Sequence, residues 1–210
     1  AIQDDFDRAD SSTLGTATNG NTWVESLGTG DWEILDEKMV GTTASTTNNY
    51  ASLELSSSNP PEVSFTLNMS QTCTSTTSSY FLSMGASGTS YLDSGIYILW
   101  CHSGQAKFYS GGWQTFDTSF TYVANTEYLV EFKDCTYTGT YNCEIWIDGV
   151  MYESSANFRY NNDFDYALPI ITSSGLTYRI DCLTTDGTTC AAPPPTSNIN
   201  ASDTLPANNS

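Results

Sequence analysis

Two pairs of acidic residues have spacings that bear on glycoside hydrolysis. This reaction needs two carboxyl groups about 5–5.5 Å apart for retention, or about 6.5–9.5 Å for inversion. Glu144 and Asp148 would share one face of a strand, but four residues at about 3.3 Å each place them about 13 Å apart. Asp134 and Glu144 would lie closer if Cys135 faces Cys143, and we interpret them as solvated groups at a strand end. No residue is therefore predicted to be catalytic.

Other kinds of catalytic site have less support. His102 is the only histidine, and its neighbour Ser103 would point to the opposite face of a strand, so no Ser-His-Asp triad is indicated. Six basic residues against 24 acidic ones argue against a lyase that acts on an acidic polysaccharide. The chain also contains no glycine-rich phosphate loop or dinucleotide-binding motif. We therefore predict that the protein is not an enzyme.

Aromatic residues make up 13% of the chain, and an exposed tryptophan can stack on a sugar ring. Trp113 follows two glycines in a loop-like context, so it is the predicted carbohydrate-binding residue. Trp100 and Trp146 are predicted to lie in the core.

Six cysteines predict three disulfides and an oxidising, extracytoplasmic location. Two C-x7-C segments fit hairpins with three-residue loops, in which the two cysteines of each segment face each other. The predicted pairs are therefore Cys135–Cys143 and Cys182–Cys190, and elimination leaves Cys73–Cys101. Six cysteines allow 15 pairings, so this assignment rests on proximity in the sequence. The spacings do not indicate zinc.

Short segments bounded by turns predict strands and no helices. Residues 62–69 alternate cleanly, with Val63, Phe65, Leu67 and Met69 on one face, which is typical of a half-buried strand. The predicted strands span residues 50–55, 62–69, 80–84, 95–101, 128–134, 143–147 and 177–183. Many short strands without helices indicate an all-β sandwich or barrel.

The formal net charge of −18 argues against nucleic acid and anionic membranes as partners, because both are bound through Lys and Arg. The longest apolar run, residues 96–101, is far shorter than the roughly 20 residues that a membrane helix needs. The chain begins at Ala1 rather than at methionine, which we interpret as the processed end of a secreted protein.

Three segments carry recognisable motifs. The first is DDFDRAD at 4–10, followed by Leu14-Gly15 and Trp23. The second, at 128–150, contains YLVEFKD and EIWIDGV. The third is TYRID at 177–181. In this order they resemble the opening, the adjacent strands and the final strand of concanavalin-A-like sandwiches, among them laminin-G-like domains. The resemblance implies two antiparallel sheets in a jelly-roll topology. Retaining hydrolases of that superfamily typically carry E-x-D-x-E on one strand, and this sequence lacks the motif.

The resemblance also implies one structural calcium ion where the first and last strands meet. Asp5 and Asp181 are the matching positions, and calcium takes six to eight oxygen ligands. A generally acidic surface accounts for the same residues equally well.

Three N-x-S/T sequons make Asn68, Asn200 and Asn208 potential glycosylation sites. A chain so rich in Ser, Thr and Asn produces such triplets by chance. Only Asn68 is favoured by its position, on the polar face of its strand.

A change in composition places the end of the β-sandwich domain, residues 1–190, before a tail of residues 191–210. Three consecutive prolines favour an extended, stiff spacer at the start of this tail. Ile199 and Leu205 would share one face of the tail and contact another copy of the chain by adding a strand to its sheet.

These features favour a non-enzymatic extracellular structural or adhesive protein that assembles with copies of itself into a surface layer or filament. The first alternative is a carbohydrate-binding module or lectin of a secreted protein, with glycans as partners. A glycoside hydrolase is the second alternative.

Overall fold

The computed structural model of the chain describes residues 1–25, 30–43, 49–56, 62–74, 79–85, 94–102, 104–110, 112–158, 165–171 and 176–191. For residues 30, 43, 79–85, 94–102 and 171, only the backbone is described. All regular structure in these ranges is β, as predicted, and they contain no helix that is long and apolar enough to cross a membrane.

The described residues form 17 strands. The first nine are β1 (Ile2–Asp4), β2 (Val24–Glu25), β3 (Gly30–Leu35), β4 (Lys38–Thr43), β5 (Asn49–Glu54), β6 (Ser64–Met69), β7 (Ser79–Gly85), β8 (Ser94–His102) and β9 (Gln105–Tyr109). The others are β10 (Trp113–Thr115), β11 (Glu127–Tyr137), β12 (Tyr141–Ile147), β13 (Val150–Phe158), β14 (Tyr166–Leu168), β15 (Ile170–Ile171), β16 (Thr177–Ile180) and β17 (Leu183–Thr184).

The strands form two antiparallel sheets. The first sheet has the order β13-β12-β11-β6-β16-β4-β3, and β17 pairs with both β1 and β6. The second has the order β10-β9-β8-β7-β14-β5-β15, with β2 paired to β5. Neighbouring strands are often distant in sequence, so the hairpins are joined by crossovers of the kind that a jelly-roll sandwich requires.

The core lies between the sheets and is rich in aromatic rings. Phe65 and Phe132 of the first sheet meet edge to face, with 6.3 Å between their centroids. Phe158 packs on Phe132 at 6.0 Å and on Phe108 of the second sheet at 5.8 Å. These rings join the sheets, and burying each one stabilises the fold by roughly 1.5–3 kcal/mol.

The two predicted hairpin disulfides, Cys135–Cys143 and Cys182–Cys190, are present. The first closes the β11–β12 hairpin, as predicted. The second does not close a regular hairpin, because the residues after the turn at Asp186-Gly187 are not in a strand. Its strand, β17, pairs with β1 and β6 instead.

The N-terminal motif is held by a buried carboxylate. Asp4 is fully buried, and its oxygens accept both Nη groups of Arg8, at 2.7 and 3.0 Å. The same carboxylate accepts the indole Nε1–H of Trp23 at 2.6 Å and the backbone N–H of Phe6 at 3.1 Å. Arg8 also donates to the carbonyl oxygen of Leu14 at 2.8 Å. The Asp4 carboxylate therefore holds Phe6, Arg8 and Trp23 directly and Leu14 through Arg8.

We predict that Asp4→Asn destabilises the protein by about 3 kcal/mol, because it leaves Arg8 without its charged partner and turns an amide donor toward other donors. Asp5→Asn is the matched control, since Asp5 is exposed and should cost less than about 1 kcal/mol. Urea denaturation measures both free energies of unfolding. Equal losses in the two variants would contradict the role given to Asp4.

Candidate functional site

A group of polar and aromatic side chains lies on the outer face of the first sheet. Inward-facing residues of β11 and β12 alternate with four outward-facing ones: Glu131, Lys133, Glu144 and Trp146. We refer to these four as the outer-face cluster. The inward-facing partners that place the cluster are the buried residues Val130, Phe132, Ile145 and Ile147.

The register of β11 and β12 differs from the predicted one. The sequence places Glu131 opposite Ile147 and Asp134 opposite Glu144, whereas the structure pairs Glu131 with Trp146 and Lys133 with Glu144. The cause is a bulge: the register shifts between Lys133 and Thr136, and Asp134 adopts a φ of 49°. The predicted acidic pair of Asp134 and Glu144 is therefore wrong.

The four side chains of the cluster contact one another. The Lys133 ammonium lies 3.0 Å from a carboxylate oxygen of Glu131 and 5.1 Å from the centre of the Trp146 ring. The indole Nε1–H of Trp146 donates to Glu144 at 2.7 Å. Glu131 is only 3% exposed, whereas the Lys133 side chain is 40% exposed. The cluster thus combines a buried carboxylate, a partly exposed cation and a partly exposed aromatic ring.

A cleft of about 210 Å³ opens beside the cluster. Its wall on one side is the turn that the Cys182–Cys190 disulfide closes, and the backbone N–H of Cys190 donates to Ser64 Oγ at 3.0 Å. The lining residues are Glu62, Val63, Ser64, Glu131, Phe132, Lys133, Asp134, Gly187, Thr188 and Thr189. Carboxylates, hydroxyls and one ammonium therefore face this space.

A second charged group lies further along the same sheet. Lys38 forms ion pairs with Asp181 at 2.9 Å and with Glu127 at 3.1 Å. Partial burial alone would lower the pKa of Lys38, but the hydrogen bonds and charges of these two carboxylates raise it above the ordinary value of 10.5.

The predicted sugar-binding residue, Trp113, is distant from this cluster in the fold. It begins β10, the edge strand of the second sheet, and lies opposite Tyr109. The two rings meet at 5.2 Å with 72° between their planes, and Trp113 is half-buried. Trp113 thus lies with Tyr109 on the other sheet, and its role in binding stays a prediction.

Asp5 and Asp181, the predicted calcium ligands, each have a partner within the chain. Asp5 is exposed and accepts a hydrogen bond from Thr18, and Asp181 is ion-paired with Lys38. Among the described residues, no three acidic, His or Cys side chains come together in a way that could hold a metal ion. Calcium binding therefore stays an untested prediction.

Several other predicted sites lie partly outside the described residues. Cys73 is disulfide-bonded, but the side chain of its predicted partner Cys101 is not described. Asn68 is half-buried in the first sheet, and its glycosylation is untested. The tail beyond Ala191 is not described, and it contains the remaining sequons and both predicted contact residues: Asn200, Asn208, Ile199 and Leu205.

Comparison with solved structures identifies the fold. Cellulose induced protein Cip1 matches 92% of this chain and 100% of its own, with a TM-score of 0.58 and 13% identity. A chain solved in work on endo-acting O-glycanases of human gut microbiota matches 88% of this chain and 98% of its own, with a TM-score of 0.61 and 9% identity. The chain has the jelly-roll fold of the concanavalin-A-like sandwiches. This is the fold that the motifs predicted.

A third jelly-roll structure comes from work on the entry of botulinum neurotoxin type C into cells through two ganglioside molecules. Its TM-score is 0.52 at 11% identity, and the match covers 88% of this chain. This chain spans only 46% of that neurotoxin chain. No protein-family model and no curated protein matches the sequence.

The outer-face cluster is not among the predicted sites, although the alternation of residues along β12 indicates part of it. Trp146 was predicted to lie in the core, but it is half-buried on the outer face and hydrogen-bonded to Glu144. In the segment Cys143 to Ile147, the residues alternate between buried and half-buried, so Trp146 shares the face of Glu144 and not that of Ile145. Strict alternation along β12 would have found this.

The raised pKa of Lys38 predicts how stability changes at alkaline pH. A raised lysine pKa stabilises the folded state fully below the ordinary value of 10.5, and this contribution disappears as pH rises through the folded value. We therefore expect Lys38→Met to be less stable than the wild type at pH 8, with the difference shrinking above about pH 10.5. Urea denaturation at both pH values measures it. Lys38→Arg should stay more stable than Lys38→Met at both pH values, because arginine stays charged. A stability difference between wild type and Lys38→Met that does not change with pH would contradict this explanation.

Proposed function

We propose that this domain is a non-catalytic, extracellular glycan-binding module whose site is the outer-face cluster and its cleft. The observation that carries the proposal is the contact group of Trp146, Lys133, Glu131 and Glu144 beside a cleft lined with hydroxyls. The disulfides are consistent with an oxidising environment outside the cytoplasm.

The chemistry of the cluster suits a sugar. A sugar ring has apolar C–H faces and a rim of hydroxyls, so a site for it needs an aromatic surface and hydrogen-bond acceptors close together. Trp146 supplies the aromatic surface, and the buried carboxylate of Glu131 supplies a fixed acceptor. Thr188 and Thr189 are exposed at the cleft and add hydroxyls that donate or accept.

Two of the similar jelly-roll structures come from work on the binding of gangliosides or of SialylT, and they support this proposal. The neurotoxin structure comes from work on two ganglioside molecules, and another matching chain is a neurotoxin binding domain in complex with SialylT. At 11% and 14% identity they share the fold alone. The ligand of this chain must therefore be argued from its own residues.

We predict that Trp146→Ala weakens glycan binding about tenfold to thirtyfold, as truncation of a central aromatic contact typically does. A glycan array identifies a ligand, and isothermal titration calorimetry measures its dissociation constant. Trp113→Ala is the matched control and should change affinity less than about twofold. The reverse order of the two variants would move the site to the second sheet.

A glycoside hydrolase is the second candidate function. Glu131 and Glu144 are diagonal neighbours on adjacent strands, where side chains lie about 7–8 Å apart, and one structural neighbour comes from work on O-glycanases. Against this reading, Glu131 lines the cleft but Glu144 does not, and Glu144 is hydrogen-bonded to the Trp146 indole.

We therefore expect no release of reducing sugar from any glycan that the domain binds. A reducing-end assay over many hours checks this, with Glu131→Gln and Glu144→Gln as parallel samples. Release of sugar by the wild type that either substitution abolishes would show that the domain is a hydrolase.

Self-assembly into a surface layer or filament is a separate proposal. It rests on the composition of residues 191–210, and it is compatible with glycan binding because the tail and the outer-face cluster are different parts of the chain. The proposed partner is a second copy of this chain, which the tail would join by adding a strand to its sheet.

A further inference from the structure

We propose that the outer-face cluster prefers glycans that carry a free, protonated amine, such as oligomers of glucosamine. In the absence of a glycan, the Lys133 ammonium occupies the place that the amine of the ligand takes. This inference rests on the proposed glycan-binding function and names the class of sugar that the same site binds.

The charge around the cleft favours a cation. Three carboxylates, those of Glu62, Glu131 and Asp134, line the cleft, and Glu144 lies beside it opposite Lys133. Lys133 is the one basic residue among the lining residues. With a net charge of −18 on the whole chain, the surrounding field attracts cations and repels anionic sugars.

The contacts of Lys133 are those of an ammonium ligand. Its Nζ lies 3.0 Å from Glu131 and 5.1 Å from the centre of the Trp146 ring, so it pairs with a carboxylate and an aromatic face at once. A carboxylate combined with an aromatic face is how proteins recognise ammonium groups. The amine of a sugar can make the same two contacts.

Lys133 can leave this place, but Glu131 cannot follow it. The lysine side chain is 40% exposed and flexible, so its ammonium can turn into solvent. Glu131 is 3% exposed, and a buried carboxylate without a partner is costly. A ligand amine that replaces Lys133 keeps Glu131 paired, and the departure of Lys133 exposes the face of Trp146 for the sugar ring.

One substitution that removes a charge tests this directly, because the inference predicts that affinity rises and not that it falls. Lys133→Met keeps the length of the side chain and removes the competing ammonium. Lys107→Met on β9 of the second sheet removes the same charge elsewhere. Binding of both variants and the wild type is measured by calorimetry at 0.15 M salt with three hexamers: glucosamine, neutral glucose and galacturonic acid. A polylysine peptide is the comparison for a cationic protein partner, and thermal melts check that each variant folds.

We expect the wild type to bind the glucosamine hexamer most tightly. Lys133→Met should bind it about two- to fivefold more tightly still, because an ion pair whose lysine is solvent-exposed contributes about that much. Lys107→Met should change the affinity little, because salt screens a distant charge.

Binding of the neutral hexamer that equals or exceeds binding of glucosamine would overturn this inference and leave the proposed function standing. Preference for the uronate, with loss in Lys133→Met, would also overturn it, as would equal binding of polylysine that depends on Trp146. Binding of none of the three hexamers would overturn it too, and if the glycan array also found no ligand, the proposed function itself would fail.

Discussion

The β11–β12 hairpin is the constraint on which the candidate site depends. At the loop end, the disulfide of Cys135 and Cys143 holds two facing residues together. Toward the other end, Lys133 lies opposite Glu144, a register one residue away from the one that the disulfide pair sets. The bulge at Asp134 absorbs the extra residue, and aspartate tolerates the positive φ of 49° better than most side chains. Because a shift of one residue moves every partner, this bulge is what brings Lys133 opposite Glu144 and Glu131 opposite Trp146.

The rest of the fold holds this hairpin in place and covers one end of it. The Asp148-Gly149 turn fixes the far end of β12, where the Asp148 carboxylate accepts the backbone N–H of Leu129 at 2.8 Å. The disulfide-closed turn before Cys190 lies against Ser64 and forms one wall of the cleft. A strongly acidic chain thus keeps one of its few cations, Lys133, between a buried carboxylate and an indole ring.

Much of the fold follows from sequence patterns, but the site does not. The alternation in residues 62–69 predicted β6 and its inward face correctly, and the C-x7-C spacing predicted two disulfides. The sequence did not predict ten of the observed strands: β1 to β4, β9, β10, β13, β14, β15 and, apart from Leu183, β17. β1 and β2 pair with strands that are distant in the sequence, so their own composition gives little signal. β3–β4 and β12–β13 are local hairpins. No glycine or proline marks the bulge at Asp134 in the sequence, so the register of β11 and β12 around the cluster could not be predicted. The N-terminal motif predicted Asp5 as a metal ligand, whereas its neighbour Asp4 is the carboxylate that the structure buries.

The central claim is that glycans bind the outer face of the first sheet. The most direct measurement follows the indole N–H resonances of the five tryptophans by NMR during titration with the glucosamine and neutral hexamers, with assignment by Trp146→Phe and Trp113→Phe. The indole N–H of Trp146, which donates to Glu144, should shift on binding, and that of Trp113 should stay in place. A shift of Trp113 with no change at Trp146 would contradict this account.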